Sequence, residues 1–308
     1  MQLVFAGTPD VALPSLHAVL DSRHEVLAVL TRPDAPAGRG RAVAPSPVAA
    51  LAAERGLEVL RPRRPSEPAF LQRLAEIAPD CCPVVAYGGL LPKEALDIPP
   101  RGWVNLHFSL LPAWRGAAPV QHALIAGDEV TGATTFRLVE ELDAGPTYGL
   151  FTETIRPDDT AGVLLQRLAT HGAALLVATL DGIEDGILEE REQSSEGVTV
   201  ARRLSPADGL VDWSRTAFAI DRQVRGCTPA PGAWTEAGDH RLKLWPTTTR
   251  PDAPALPPGE LVVTKQEVLV GTGTSPVALG DVQPPGRARM PATAWVRGLR
   301  PAPARLGG

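Results

Sequence analysis

Leu3-Val4-Phe5-Ala6-Gly7-Thr8-Pro9-Asp10 opens the chain with an apolar run as long as a buried strand, followed by a glycine turn. Leu13, Leu16 and Leu20 then recur at helical spacing across 11–21, and 26–30 is apolar again. Working outward, the pattern continues. Helices are expected over 47–55 and 67–78, the second with Phe70, Leu71, Leu74 and Ile77 on one face. Strands are expected over 57–60, 83–87, Trp103–His107 and 133–139, and a long helix over 161–180. Strands alternating with helices predict βαβ units and an α/β fold with a parallel-rich sheet covered on both faces. The Gly7-Thr8-Pro9 turn lacks GxGxxG spacing, so it reads as a structural βα turn, not a dinucleotide fingerprint. Pro83 predicts that its strand starts there or bulges, because proline has no N–H for a central ladder.

The chain's 308 residues suit two domains. The alternation stops at the polar run Glu190-Arg191-Glu192-Gln193-Ser194-Ser195-Glu196-Gly197. Residues 190–205 therefore read as a linker between a first domain over 1–189 and a second over 206–308. The second contains a helical pattern at 213–225 and short β-like runs at 241–245, 260–264, 267–270 and 276–279, which suggest a small barrel or sandwich. Net charge is −5, but unevenly spread: residues 1–205 hold 18 Lys/Arg against 26 Asp/Glu, and 206–308 hold 12 against 9. Arg287, Arg289, Arg297, Arg300 and Arg305 follow with no acid beyond Asp281, so an acidic first domain joins a basic second one. Cys81, Cys82 and Cys227 have no metal-ligand spacing and read as buried thiols of a reducing compartment. The first residues lack a basic n-region, and no apolar stretch reads as long enough to cross a bilayer. A cytoplasmic, monomeric chain with no membrane contact and no bound metal is expected.

The densest polar constellation begins where the strand Trp103–His107 ends: Asn105-Leu106-His107-Phe108-Ser109-Leu110-Leu111-Pro112-Ala113-Trp114-Arg115-Gly116. Alternation places Asn105 and His107 on one face, beyond the carboxyl end of the strand, where α/β sheets bind ligands. Asp143, in Leu142-Asp143-Ala144-Gly145-Pro146, follows another predicted strand. Acyl transfer to an amine develops an oxyanion, which an amide N–H and an imidazole stabilise by about 3–4 kcal/mol per well-placed donor. A carboxylate-oriented imidazole also mediates the loss of the amine proton. An already activated acyl donor needs no Ser or Cys nucleophile.

Asn105-x-His107-x-Ser109-Leu110-Leu111-Pro112, then Arg115-Gly116-Ala117-Ala118-Pro119 and Leu142-Asp143-Ala144-Gly145, resemble the folate-dependent formyltransferase family over nearly the full chain. The resemblance implies a Rossmann-like domain followed by an OB-like β-barrel, and a catalytic trio at Asn105, His107 and Asp143. It implies a 10-formyltetrahydrofolate site along Ser109, Leu110, Leu111 and Pro112, with Tyr87, Gly88 and Leu90 in the pterin wall. Phe108 and Gly89 depart from the family pattern, which has a small residue at the first and an apolar one at the second. The Gly/Pro-rich stretch Thr31–Arg41 is long for a loop inside a compact domain and carries Arg39 and Arg41 between glycines. It resembles the insertion loop of the branch that formylates the α-amine of methionyl-initiator tRNA, with Arg39 and Arg41 set against phosphates and base edges. A small basic barrel would complete the tRNA platform. The alternative within the family is an amino sugar or another small amine as acceptor.

Overall fold

The computed structural model describes residues 1–37, 42–299 and 303–307. The chain forms two compact units, each assembled from separated segments: Met1–Pro119, Val130–Thr154 and Leu165–Ala201 in the first, Val120–Glu129, Ile155–Leu164 and Arg202–Gly308 in the second.

The first part of the chain runs β1 (Gln2–Gly7), α1 (Leu13–Leu20), β2 (Glu25–Leu30), β3 (Ala35–Ala37), β4 (Ala42–Ala44), α2 (Pro47–Glu54), β5 (Glu58–Leu60), α3 (Pro68–Ile77), β6 (Cys82–Val85), α4 (Lys93–Leu96) and β7 (Trp103–His107). Then come α5 (Pro119–Ala126), β8 (Val130–Arg137), β9 (Thr147–Thr154) and α6 (Ala161–Glu184). Seven strands form one sheet in the order β5-β2-β1-β6-β7-β8-β9. The pairs from β5 to β7 are parallel, while β8 and β9 add antiparallel at one edge. β9 was absent from the sequence reading. Its later residues alternate half-buried and exposed, and Gly149 and four threonine or glutamate positions dilute the apolar signal of an edge strand.

Pro83 sits inside β6, a central strand, and not at its start. The cost is avoided because Cys82 N–H already turns to the Gly102 carbonyl on the β7 side, while pairing to β1 is carried by Cys81, Val84 and Val85. Pro83 falls where the β1 ladder skips. One face of the sheet is packed by Val4, Ala6, Leu30, Phe70, Leu74 and Trp103. On the other, Leu106 meets α6 at Gly172, where a Cβ would come within 2.9 Å of the leucine side chain.

α6 corrects one expectation. Its 24 residues are, by length and composition, enough to cross a membrane. Leu168, Leu176 and Leu180 are nevertheless buried within the protein, so its apolar stripe is a core face.

The supposed linker also divides. Residues 190–201 belong to the first unit. They are tied by backbone bridges of Arg191 to Thr147 and Val200 to Arg115. Their polar composition is that of a strand-like strap with most of its side chains in solvent, which the sequence does not separate from a free crossing.

In the second unit, α7 (Ala217–Gly226) begins later than the pattern at 213 suggested, because Thr216 caps it by accepting the Ala219 N–H at 3.3 Å. Trp213 instead enters the core and donates Nε1–H to Thr235 at 2.9 Å. The strands β10 (Ala233–Ala237), β11 (His240–Leu244), β12 (Thr248–Thr249), β13 (Leu261–Val263), β14 (Val268–Val270), β15 (Val277–Ala278), β16 (Asp281–Gln283) and β17 (Met290–Pro291) precede α8 (Ala292–Arg297). They make two four-stranded antiparallel sheets, β10-β11-β16-β17 and β12-β15-β14-β13. Both enclose one core of Val211, Ile220, Val224, Val268, Val282 and Trp295.

Candidate active site

The carboxyl end of β7 collects the polar groups. Asn105 lies between Val84 of β6 and Phe136 of β8, and His107 lies opposite Thr134, so both project from the same face. The imidazole of His107 packs edge-on against Phe136, with ring centroids 6.3 Å apart. Its Nε2 is 2.8 Å from the Trp114 carbonyl. A carbonyl only accepts, so Nε2 carries a hydrogen and Nδ1 is left facing Asp143, whose Oδ2 is 3.7 Å away. Oδ2 in turn accepts the Gly116 N–H at 2.6 Å. The two side chains are 7% and 11% exposed, so this pair lies in a largely dry recess where an oriented charge counts for more than it does in water.

Ser109, Leu110, Leu111 and Pro112 form the loop after β7. Thr134 Oγ1 donates to the Ser109 carbonyl at 2.7 Å and accepts the Leu111 N–H at 3.2 Å. Ser109 Oγ donates to the Ala113 carbonyl at 2.6 Å. Two hydroxyls thus hold this loop against the sheet. Phe108 turns into the core and is 7% exposed, which explains how a bulky ring is accommodated between His107 and Ser109. In the loop after β6, Tyr87 is buried, and burial raises its phenol above the usual range. Gly88 has φ +77°, and a Cβ there would meet nothing. A Cβ on Gly89 would lie 2.7 Å from the Tyr87 ring, so the doubled glycine suits this packed tyrosine. Leu90 is 84% exposed, an apolar side chain at the open edge of the same loop. Thr8 Oγ1 steadies the turn by donating to the Tyr87 carbonyl at 2.8 Å.

Four non-glycine residues among those described have positive φ, and three of them, Ala86, Trp114 and Asp143, stand in these loops. Such backbone is held only where neighbours over-determine it, and it clusters at functional sites. Sequence reasoning missed the supports: the Trp114 carbonyl, the Gly116 N–H, Thr134 and Gln193. Trp114 and Gly116 belonged to the quoted run, but nothing local assigned their backbone groups a role or distinguished Thr134 and Gln193.

Arg39 and Arg41 lie outside the described residues. The stretch on either side of them pairs as the antiparallel ribbon β3–β4, from Ala35 opposite Ala44 inward. In the second unit Arg287, Arg289, Arg297 and Arg305 are exposed, and Arg241 stacks 4.2 Å over the Trp234 ring. Arg300 is outside the described residues. Elsewhere, His24, Asp181 and Glu184 bring potential ligand atoms within 4.8 Å of one another. Arg23 Nε lies 2.6 Å from Asp181 and 3.1 Å from Glu184, and burial lowers the His24 pKa; the cluster is an ion-pair network.

With this geometry in view, residues 1–180 match the family model described as formyl transferase, and 203–300 the formyl transferase C-terminal domain. The chain is 63% identical over 300 residues to a methionyl-tRNA formyltransferase of Thermobifida fusca, covering 97% of each chain. It is 65% identical over 303 residues to one of a Nocardioides species, covering 97% of this chain and 96% of the other. Among solved structures it superposes on an N-formyltransferase from Helicobacter canadensis in complex with folinic acid and dTDP-3-aminofucose, with TM-score 0.69, 16% identity, and coverage of 90% and 97%. It also superposes on a methionyl-tRNA formyltransferase from Clostridium thermocellum, with TM-score 0.57, 13% identity, and coverage of 91% and 98%. At those identities the structural likeness is one of fold.

Proposed function

From the premise that this chain belongs to the formyl transferase family, we propose that it transfers the formyl group of 10-formyltetrahydrofolate to the α-amine of methionyl-initiator tRNA. The observation that supports the chemistry is the pairing of His107 with Asp143 at the end of β7, with Asn105 on the same face of the strand two residues before. The acceptor rests on relatives of that name, which match along 97% of this chain.

The folate fits the loops that flank the trio. A pterin needs apolar walls with a few fixed polar groups, and the exposed Leu90, the open space at Gly88 and the braced Ser109–Pro112 backbone offer both. The folate supplies an activated formyl group. As the amine attacks, the formyl oxygen gains negative charge, and the Asn105 amide donates to it, worth about 3–4 kcal/mol. One C–N bond forms to the α-amine while the bond to the folate nitrogen breaks. The amine loses one proton and the folate nitrogen gains one. His107 Nδ1 is the ring nitrogen available for that relay, since Nε2–H is given to the Trp114 carbonyl. Asp143, pinned by the Gly116 N–H, faces Nδ1 and sets its orientation.

The tRNA is read as bound by Arg39 and Arg41, in the stretch between β3 and β4, and by the basic C-terminal region 206–308, through phosphate contacts that place the acceptor end. The test is direct. Purified protein is offered 10-formyltetrahydrofolate with charged initiator tRNA, charged elongator tRNA or an amino sugar. Formylation of the initiator species is expected, and formylation of the sugar alone would overturn the reading.

A further inference from the structure

The segment 190–201, polar and unremarkable in sequence, is placed against both loops that carry the site. Arg191 exchanges backbone hydrogen bonds with Thr147 at 2.8 and 2.9 Å. Thr199 and Ala201 pair with the loop after β7: Thr199 Oγ1 accepts the Trp114 N–H at 2.8 Å, the Thr199 carbonyl accepts the Arg115 N–H at 2.9 Å, and the Arg115 carbonyl accepts the Ala201 N–H at 2.7 Å. Between these anchors sits Gln193, half-buried in a run that is otherwise exposed.

Gln193 makes four polar contacts, and their directions are unambiguous. Its Nε2 donates to the Asp143 carbonyl at 2.7 Å and to the Gly145 carbonyl at 2.8 Å. Its Oε1 accepts from Arg115 Nε at 3.1 Å and Nη2 at 2.8 Å. Guanidinium only donates and carbonyls only accept, so the position needs a side chain with a two-hydrogen donor at one end and an acceptor at the other. Glutamate lacks the donor, lysine and arginine lack the acceptor, and asparagine is one methylene shorter. One of the carbonyls it holds is that of Asp143 itself, a residue at φ +49°, a backbone state that persists only where its neighbours over-determine it.

We propose that Gln193 is a positioning residue for the transfer reaction: it clamps the Asp143 backbone to Arg115 and thereby fixes the carboxylate opposite His107. The inference rests on the formyl-transfer reading, in which Asp143 orients the imidazole. The hydrogen bonds of Gln193 go to Asp143, Gly145 and Arg115 and none to the Ser109–Pro112 loop, so its effect falls on the rate constant and not on the folate KM. A misplacement of the carboxylate by about 1 Å costs on the order of a hundredfold in rate.

The experiment measures kcat, the folate KM and the melting temperature for wild type, Gln193→Ala, Gln193→Glu, Asp143→Ala and the Gln193→Ala/Asp143→Ala double variant, with single-turnover rates for the slow ones. Wild-type formylation of methionyl-tRNA tests the underlying reading separately. Given that activity, both Gln193 variants should lose about tenfold to a hundredfold in kcat with folate KM within about twofold. Gln193→Glu keeps the Arg115 contact and sets an oxygen against two carbonyls, so it isolates the clamp from the fold. In the Asp143→Ala background the Gln193→Ala effect should vanish, because the two act in series. Unchanged kcat in the folded Gln193→Glu variant, or an undiminished loss in the double variant, overturns the proposal.

Discussion

Gly116→Ala is the substitution on which the site geometry stakes most. Gly116 has φ +116°, a region that side-chain-bearing residues enter at a cost of about 1–3 kcal/mol. A Cβ there would lie 2.8 Å from the Ala201 carbonyl oxygen, whereas carbon–oxygen contacts settle at about 3.3 Å or more. Gly116 must therefore withdraw by roughly 0.5 Å or rotate its peptide. Its N–H is the donor that holds Asp143 Oδ2 at 2.6 Å, so the retreat stretches or breaks a charge-assisted hydrogen bond worth about 1.5–3 kcal/mol. The freed carboxylate no longer has one position relative to the imidazole, and kcat should fall by about tenfold to a hundredfold. The strain should also lower the melting temperature by about 2–4 °C per kcal/mol. Steady-state formylation with both substrates varied, alongside a thermal melt, reads both effects. A variant with wild-type kcat and wild-type melting temperature would refute the role given to the Gly116–Asp143 bond.

Three other outcomes follow from the structure. Asn105→Ala should reduce kcat by about a hundredfold to a thousandfold at an unchanged melting temperature, checked by single-turnover formylation. Leu168→Ala removes a fully buried side chain of α6 and should cost about 2–5 kcal/mol in urea unfolding without altering the folate KM of the folded enzyme. Burial pushes the Cys81 thiol up to about 12 and the Cys227 thiol up to about 11, so neither should react with a disulfide reagent at about pH 8 until the protein is unfolded. The same shifts have a stability consequence: the folded thiols keep protons that the unfolded chain releases from about pH 8.5 upward, so their contribution is complete below that pH and is lost towards 11 and 12, read as a falling melting temperature.

The extent to which the fold was legible follows the strength of local pattern. β7 was read to the residue because Trp103-Val104-Asn105-Leu106-His107 is a buried run bounded by a glycine and a compact turn. β9 was not, because an edge strand that ends in Thr152-Glu153-Thr154 and contains Gly149 has little apolar signal. Asn105 and His107 were paired from alternation alone, since two residues apart on a strand means one face. The motif resemblance singled out Asp143, but nothing local could say that its carboxylate would meet Gly116.

What the amino-acid order determined by itself is therefore the periodic part: strands, helices, the shared face of Asn105 and His107, and the division into an α/β region and a β-rich one. These depend on neighbours within a few residues, and side-chain period reports them directly. Only the folded chain decided that residues 190–201 are a strap and not a crossing, that Gln193 serves Asp143, and that the 24-residue α6 is a core helix. Hydrogen bonds between residues 50 and 78 positions apart, such as those of Gln193 with Asp143 and Arg115, leave no local period to read. Their partners are chosen by where the packed sheet delivers each loop.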